Sequence, residues 1–351
     1  MPPSEDVQGT QVSLASRWHL GPREMLLQGL EAALLAVLLA AVYFIFSSAF
    51  GTLLQFDDVG NLAGLSEVVD LQSIVAFTLS GEAGPLGRPL SLLTFALQAP
   101  SWPDDVVDLQ RVNVLIHMLN GTLAACLAFN LGRLFPRVLE RPTAVAIVTA
   151  GLWLLHPLLA STSLMLIQRM TLLSATATLV GLILFVEGRS RLGTSNGVGF
   201  LLMTAGIVGG TVMAVLTKEN GALLPLYAWV LEASLLRAAG LHQSRSLSIW
   251  IAVFLAGPVI LLVGYGGWTW DTIVKGYAYR PFGIVERLAT EMVILWDYVR
   301  LIFLPKLSLL GPFRDDYRVL APANPVTMAA TAGWAMAVAG AFLARRRVPL
   351  L

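Results

Sequence analysis

Apolar runs close to 20 residues long recur from one end of this 351-residue chain to the other. A helix of that length, rising ~1.5 Å per residue, matches the ~30 Å hydrocarbon core of a bilayer. It also satisfies its own backbone hydrogen bonds, as a segment deprived of water must. About eight such runs are read, at 25–48, 110–132, 142–159, 170–188, 197–217, 220–238, 248–267 and 326–344. Charge is correspondingly scarce: 13% of residues are charged and 56% hydrophobic, against ~25% charged in soluble domains. The sequence predicts an all-α integral membrane protein.

Arginines give the expected orientation. Arg17 and Arg23, then Arg133, Arg137 and Arg141, then Arg189 and Arg191, then Arg237 and Arg245, then Arg345, Arg346 and Arg347 occupy every alternate connection. Such clusters mark the cytoplasmic side. The reading is a cytoplasmic segment 1–24, a membrane domain 25–344 and a cytoplasmic tail 345–351. The first run is too long for a signal-peptide core and lacks a clear small-residue cleavage site, so it is read as an uncleaved helix. Two long connections then lie outside, at about 49–109 and 268–325. Within them, 62–79, the segment opening with Arg88-Pro89-Leu90, and 288–304 read as interfacial helices. The last of these is treated as interfacial or re-entrant, because crossing would carry Asp315 and Asp316 inside and the final arginines outside.

Composition excludes other classes. A net charge of +1 provides no field for nucleic acid. The single Cys126 permits neither an intramolecular disulfide nor a cysteine metal cluster. There is no phosphate-cradling glycine loop, no HExxH and no nucleophile elbow.

The remaining polar residues gather near the outer ends of the runs. Asp57 and Asp58 follow the first run; they are either a solvated helix cap or a pair in which one carboxylate reaches substrate. His156-Pro157 and Gln168-Arg169 flank one outer connection. An arginine within a span costs ~2.5–3.5 kcal/mol, which favours an aqueous cavity, an anionic partner or snorkelling to headgroups. Lys218-Glu219-Asn220 forms a tight outer turn, read as a water-facing connection or as a further cation site. Asn113, His117 and Asn120 share one helix face and need hydrogen-bond partners inside the bundle. Arg280-Pro281-Phe282, Glu286-Arg287 and Arg314-Asp315-Asp316-Tyr317 either bind an acceptor or shape the second outer loop.

Taken in order, Phe56-Asp57-Asp58, Arg88-Pro89-Leu90 with Leu93-Thr94-Phe95, 113–117, His156-Pro157, Gln168-Arg169 with Leu172-Leu173-Ser174, Lys218-Glu219, and Glu286-Arg287-Leu288 through Arg314-Asp315-Asp316 resemble the GT-C glycosyltransferases. The likeness is to bacterial relatives of the protein O-mannosyltransferase and TMTC branch and covers about residues 50–320. It implies a GT-C-type helical bundle in a bacterial inner membrane. The implied reaction moves a sugar from a polyprenyl-phosphate donor to a protein or glycan acceptor on the periplasmic side.

On that resemblance Asp57 is the base, with Asp58 as the second candidate. Arg169 and Lys218, supported by Arg88 and His156, meet the donor phosphate, while Glu219, Arg280, Arg287, Asp315 and Asp316 serve the acceptor or the loop. Direct displacement would invert the anomeric centre. The chain departs from the repeat-bearing relatives in lacking a tetratricopeptide array and a large outer domain, so what the repeats do for acceptor choice is expected either to be absent or to be supplied by a separate partner protein. Asp57, Asp58, Asp315 and Asp316 would offer oxygen ligands to Mg²⁺ or Mn²⁺ if the loops converged, but no tight ligand spacing is visible and no required metal is expected. A lipid-carrier flippase or transporter, or a noncatalytic scaffold, are the competing functional classes. A transporter would call for repeated halves and mid-span charges.

Overall fold

The computed structural model describes residues 22–52, 54, 56–311 and 317–344. Arg17, Arg314, Asp315, Asp316 and Arg345 to Arg347 lie outside the described residues, as do most of the N-terminal segment and all of the tail. Among the described residues every regular element is helical. In chain order the α-helices are α1 (Pro22–Ser47), α2 (Phe56–Leu62), α3 (Leu71–Leu79), α4 (Pro89–Ala96), α5 (Val106–Gly132), α6 (Pro142–Leu154), α7 (Leu158–Leu164) and α8 (Arg169–Arg191). They continue with α9 (Asn196–Thr204), α10 (Gly210–Val215), α11 (Leu224–Leu231), α12 (Arg245–Ile251), α13 (Gly257–Trp268), α14 (Trp270–Lys275), α15 (Ile284–Phe303) and α16 (Pro325–Ala344).

Six helical stretches are long and apolar enough to cross a membrane: Gly29–Ser47, Val106–Gly132, Leu166–Arg191, Asn196–Val215, Arg245–Trp268 and Pro325–Leu343. The pair α6 and α7, bent by 68°, makes a seventh if it is one broken span. This is a multi-pass helical membrane protein.

The structure departs from the eight expected runs in two places, each with a local cause. The run 142–159 breaks at His156-Pro157, because proline lacks an N–H and disfavours helical geometry in the residue before it. The run 220–238 starts as a 3₁₀ turn, Glu219–Leu223, and then forms α11, which continues through a π-helical turn, Glu232–Leu236. From Leu224 to Leu236 that helix rises only roughly 20 Å, short of a full hydrocarbon thickness. Further π turns, Ala205–Gly209 and Ala252–Ala256, join α9 to α10 and α12 to α13.

The first long connection folds inward. Leu62, Leu65, Phe77, Leu92 and Phe95 form one core with Leu109, Leu166 and Met170. The apolar residues of α4 that were expected to face lipid therefore bury against protein. Two more cores stabilise the bundle. Val42, Val114, Ala150 and Leu154 join α1, α5 and α6, while Phe185, Met203, Ile207, Leu224 and Trp250 join α8 to the helices that follow it. Gly181 lets two backbones touch, since an added Cβ there would lie 2.7 Å from the Gly206 carbonyl oxygen.

Polar side chains stitch the helices together. Asn113 Nδ2 donates to the Met165 and Leu166 carbonyls, Asn120 Nδ2 to the Leu172 carbonyl, and His117 Nε2 to the Leu154 carbonyl. The shared face of α5 is thus a helix–helix bonding face. Arg189, expected among the cytoplasmic loop arginines, is instead fully buried and paired with an equally buried Glu232 at 2.9 Å. In the second long connection, α15 carries Glu286, Arg287, Glu291, Asp297 and Arg300, and it is not among the stretches long and apolar enough to cross. It packs on α16 through stacked Trp296 and Trp334 rings with centroids 4.4 Å apart.

Candidate functional site

The residues singled out in the sequence meet around the start of α8. Met165 is extended, a 3₁₀ turn covers Leu166–Gln168, and Arg169 opens the helix. Backbone N–H groups at a helix start lack intrahelical acceptors. Asp58, almost fully buried, meets one of them: its Oδ1 accepts from the Ile167 N–H at 2.7 Å. That bond docks α2 onto the start of α8 and leaves Asp57, the preceding residue, exposed.

Arg169 is also fully buried, and its hydrogen-bond partners are neutral. Its Nε donates to Asn113 Oδ1 at 2.7 Å, Nη1 to the Thr94 carbonyl at 3.2 Å and Nη2 to the Leu109 carbonyl at 2.9 Å. The guanidinium lies 4.0 Å from the centre of the Phe95 ring. It therefore fastens α4 and α5 to α8, and its burial keeps it away from an incoming phosphate. His156 is engaged as well: Nε2 donates to the Ile302 carbonyl at 2.8 Å and Nδ1 accepts from the Leu158 N–H at 3.3 Å. These two expected phosphate donors act as fasteners in this structure.

Lys218 stands differently. After α10 the chain turns, with Lys218 extended ahead of the 3₁₀ turn, and its Nζ donates to Thr171 Oγ1 at 2.7 Å. Thr171 Oγ1 in turn donates to Gln168 Oε1 at 2.7 Å. Gln168, Thr171 and Lys218 thus form a hydrogen-bonded line across the first turn of α8, on the element that holds Asp58. Burial pushes the Lys218 ammonium below the ordinary lysine range, the Arg88 charge pushes it further, and Glu219 partly offsets both.

Glu219 neighbours Lys218 and faces Arg88. Arg88 Nε and Nη2 donate to the two Glu219 carboxylate oxygens at 3.0 and 2.9 Å. Burial pushes the Glu219 carboxyl up, but its hydrogen bond to Arg88 and the Arg88 and Lys218 charges outweigh that and hold it below the usual range. Arg88 is thus committed to a partner. The same turn is braced by the Leu90 N–H donating to the Leu216 carbonyl and by Ser91 Oγ donating to the Thr217 carbonyl.

Arg280 and Arg287 do not belong to this line. They border a cavity whose wall also includes Gln168. Asp315 and Asp316 are outside the described residues, and with them half of the oxygen set considered for Mg²⁺ or Mn²⁺. Of the other half, Asp58 turns inward to Ile167 while Asp57 is exposed, so the adjacent carboxylates do not make one shared ligand set. Among the described residues no three His, Cys, Asp or Glu side chains gather as a metal site.

The line Gln168-Thr171-Lys218 and the inward anchoring role of Arg169 were missed in the sequence, although Gln168 and Thr171 at i and i+3 on one helix face were a readable signal. No protein-family model, curated protein or solved structure matches the chain.

Proposed function

We propose that this protein is a membrane glycosyltransferase of GT-C type, its termini in the cytoplasm of a bacterium and its site on the periplasmic face of the inner membrane. It moves a sugar from a polyprenyl-phosphate donor to a hydroxyl of a protein or glycan acceptor. The observation that supports this reading is that an aspartate and a lysine from distant parts of the chain meet one helix start, with Asp57 exposed beside the first: Asp58 holds the Ile167 N–H, and Lys218 holds Thr171 one turn away.

The chemistry follows from those positions. The exposed Asp57 carboxylate takes the proton of the acceptor hydroxyl as its oxygen attacks the anomeric carbon. The bond from that carbon to the phosphate oxygen breaks, and its electron pair stays on the phosphate. The Lys218 ammonium offsets the charge that develops there. Asp58 and Arg169 are positioning residues, one docking α2 and the other joining α4 and α5 to α8. A single displacement inverts the anomeric centre. No step calls for a metal.

Asp57→Asn in membranes tests this. Transfer of labelled sugar from a polyprenyl-phosphate donor should fall at least about 100-fold at an unchanged protein level, the range of a lost general base. Parental transfer by that variant, or a product retaining the donor's anomeric configuration, would defeat the proposed displacement.

A further inference from the structure

Of the four residues expected to meet the donor phosphate, Arg169 and His156 are fasteners and Arg88 is paired, so Lys218 lacks a described cationic companion on its own line. Two other arginines supply the missing charge. A cavity of about 690 Å³ opens between α7, the turn before α8, α15 and the described residues Leu309, Leu310, Gly311, Tyr317 and Val319, and Arg280, Arg287 and Gln168 border it. Gln168 is the far end of the line that begins at Lys218, so the cavity wall and the lysine are joined through a single threonine.

Charge and shape select the occupant. The Arg280 guanidinium lies 5.5 Å from the Tyr277 ring and 5.9 Å from the Phe282 ring, and it has no carboxylate partner among the described residues. Stacking of this kind holds the planar fork while leaving its in-plane N–H donors available. Arg287 shares one Nη with Glu291 at 2.5 Å, and a guanidinium has five donors to distribute. Among the described lining residues the two arginines outweigh Glu291 and present forked donors suited to phosphate oxygens. Met165, Ile294 and Leu310 add an apolar wall.

We infer that this cavity seats a phosphate ester carried on an apolar chain, with Arg280 and Arg287 gripping the nonbridging oxygens. The inference rests on the transferase reading and assigns the head of the lipid-linked donor to residues outside the Lys218 line. Lys218 stays joined to that cavity wall through Thr171 and Gln168.

The test uses the full chain in phosphatidylcholine nanodiscs with three probes: farnesyl phosphate, farnesol and inorganic phosphate. Arg280→Gln and Arg287→Gln should each weaken farnesyl phosphate binding about tenfold, the scale of one charge-assisted hydrogen bond. Farnesol binding should not change. Glu291→Gln, which releases Arg287, should tighten farnesyl phosphate binding severalfold, a gain that a folding defect cannot imitate. Unchanged farnesyl phosphate affinity in both Arg280→Gln and Glu291→Gln would overturn the assignment. Inorganic phosphate binding as tightly, with the same arginine dependence, would overturn the lipid source. Asp57→Asn separates the two proposals: it should abolish transfer yet keep parental farnesyl phosphate affinity. Parental transfer with arginine-dependent binding would reject the Asp57 mechanism and leave the cavity assigned.

Discussion

Arg88 and Glu219 meet as a two-pronged ion pair across 131 positions of sequence. The pair clamps the start of α4 onto the turn that carries Lys218. Arg88 itself sits at φ 57° and ψ 49°, a left-handed conformation that a side chain adopts only under constraint. Gly84, at φ +71°, lies against the same carboxylate, and a Cβ built there would stand 1.6 Å from Glu219 Oε1.

Gly84→Ala should therefore destabilise the protein by about 1–3 kcal/mol, combining left-handed strain with a forced shift of Glu219. Thermal unfolding in detergent checks the loss. Sugar transfer by the surviving folded fraction should fall too, because the displaced carboxylate no longer steadies the Lys218 turn. Parental melting and transfer in Gly84→Ala would show that the loop is not seated as described.

The pH profile has two expected limbs. Glu219 is held below its ordinary value of 4.5, so its contribution to stability is complete above about pH 4.5 and is lost as pH falls through the depressed folded value. Lys218 is held below its ordinary 10.5, so it loses its charge at a lower pH than a free lysine. Transfer should decline on the alkaline side before pH 10.5. Above the folded value, where the unfolded chain binds more protons than the folded one, Lys218 adds stability as pH rises toward 10.5. Lys218→Arg should move the alkaline limb of transfer upward, and an unmoved limb would remove Lys218 from the site.

Arg169→Leu should behave as a structural lesion. It strands Asn113 Oδ1 and the Thr94 and Leu109 carbonyls in a buried setting, at about 1–3 kcal/mol for each group left unsatisfied. Folded yield should drop sharply, while farnesyl phosphate affinity of the folded fraction stays within about twofold of the parent. A large affinity loss at normal yield would restore Arg169 to the phosphate.

Glu232→Ala should cost about 3–5 kcal/mol, because it leaves the buried Arg189 charge without its carboxylate. Adding Arg189→Met should recover much of that loss by removing the stranded charge. A double-mutant cycle on unfolding in detergent measures the coupling. Purely additive losses would mean that the two side chains do not rely on each other.

Much of the bundle was legible in the sequence because helix length and apolar content are local. The runs around 110–132, 170–188 and 326–344 reappear as α5, α8 and α16. The breaks were harder to read: Pro157 sits inside an apolar run that looks continuous, and the shortness of α11 depends on where the preceding turn ends. The α5 face was legible too, since Asn113, His117 and Asn120 recur at helical spacing and each finds a carbonyl on a neighbouring helix. The acidic pair was legible as a pair, but its division of labour was not. Asp58 turns inward to accept from the N–H of Ile167, 109 positions away.

By itself the sequence determined that this chain is a helical membrane protein, since an apolar run of bilayer length has nowhere else to satisfy its surface and its backbone. Only the tertiary structure decided which charges are fasteners and which face a cavity. Arg169, Arg189 and Arg280 carry the same guanidinium; neutral carbonyls hold the first, a buried glutamate the second, and two aromatic rings leave the third its open donors. Their neighbours come from other parts of the chain or from the path of a loop, and the energy of a charge is set by its surroundings rather than by its place in the sequence.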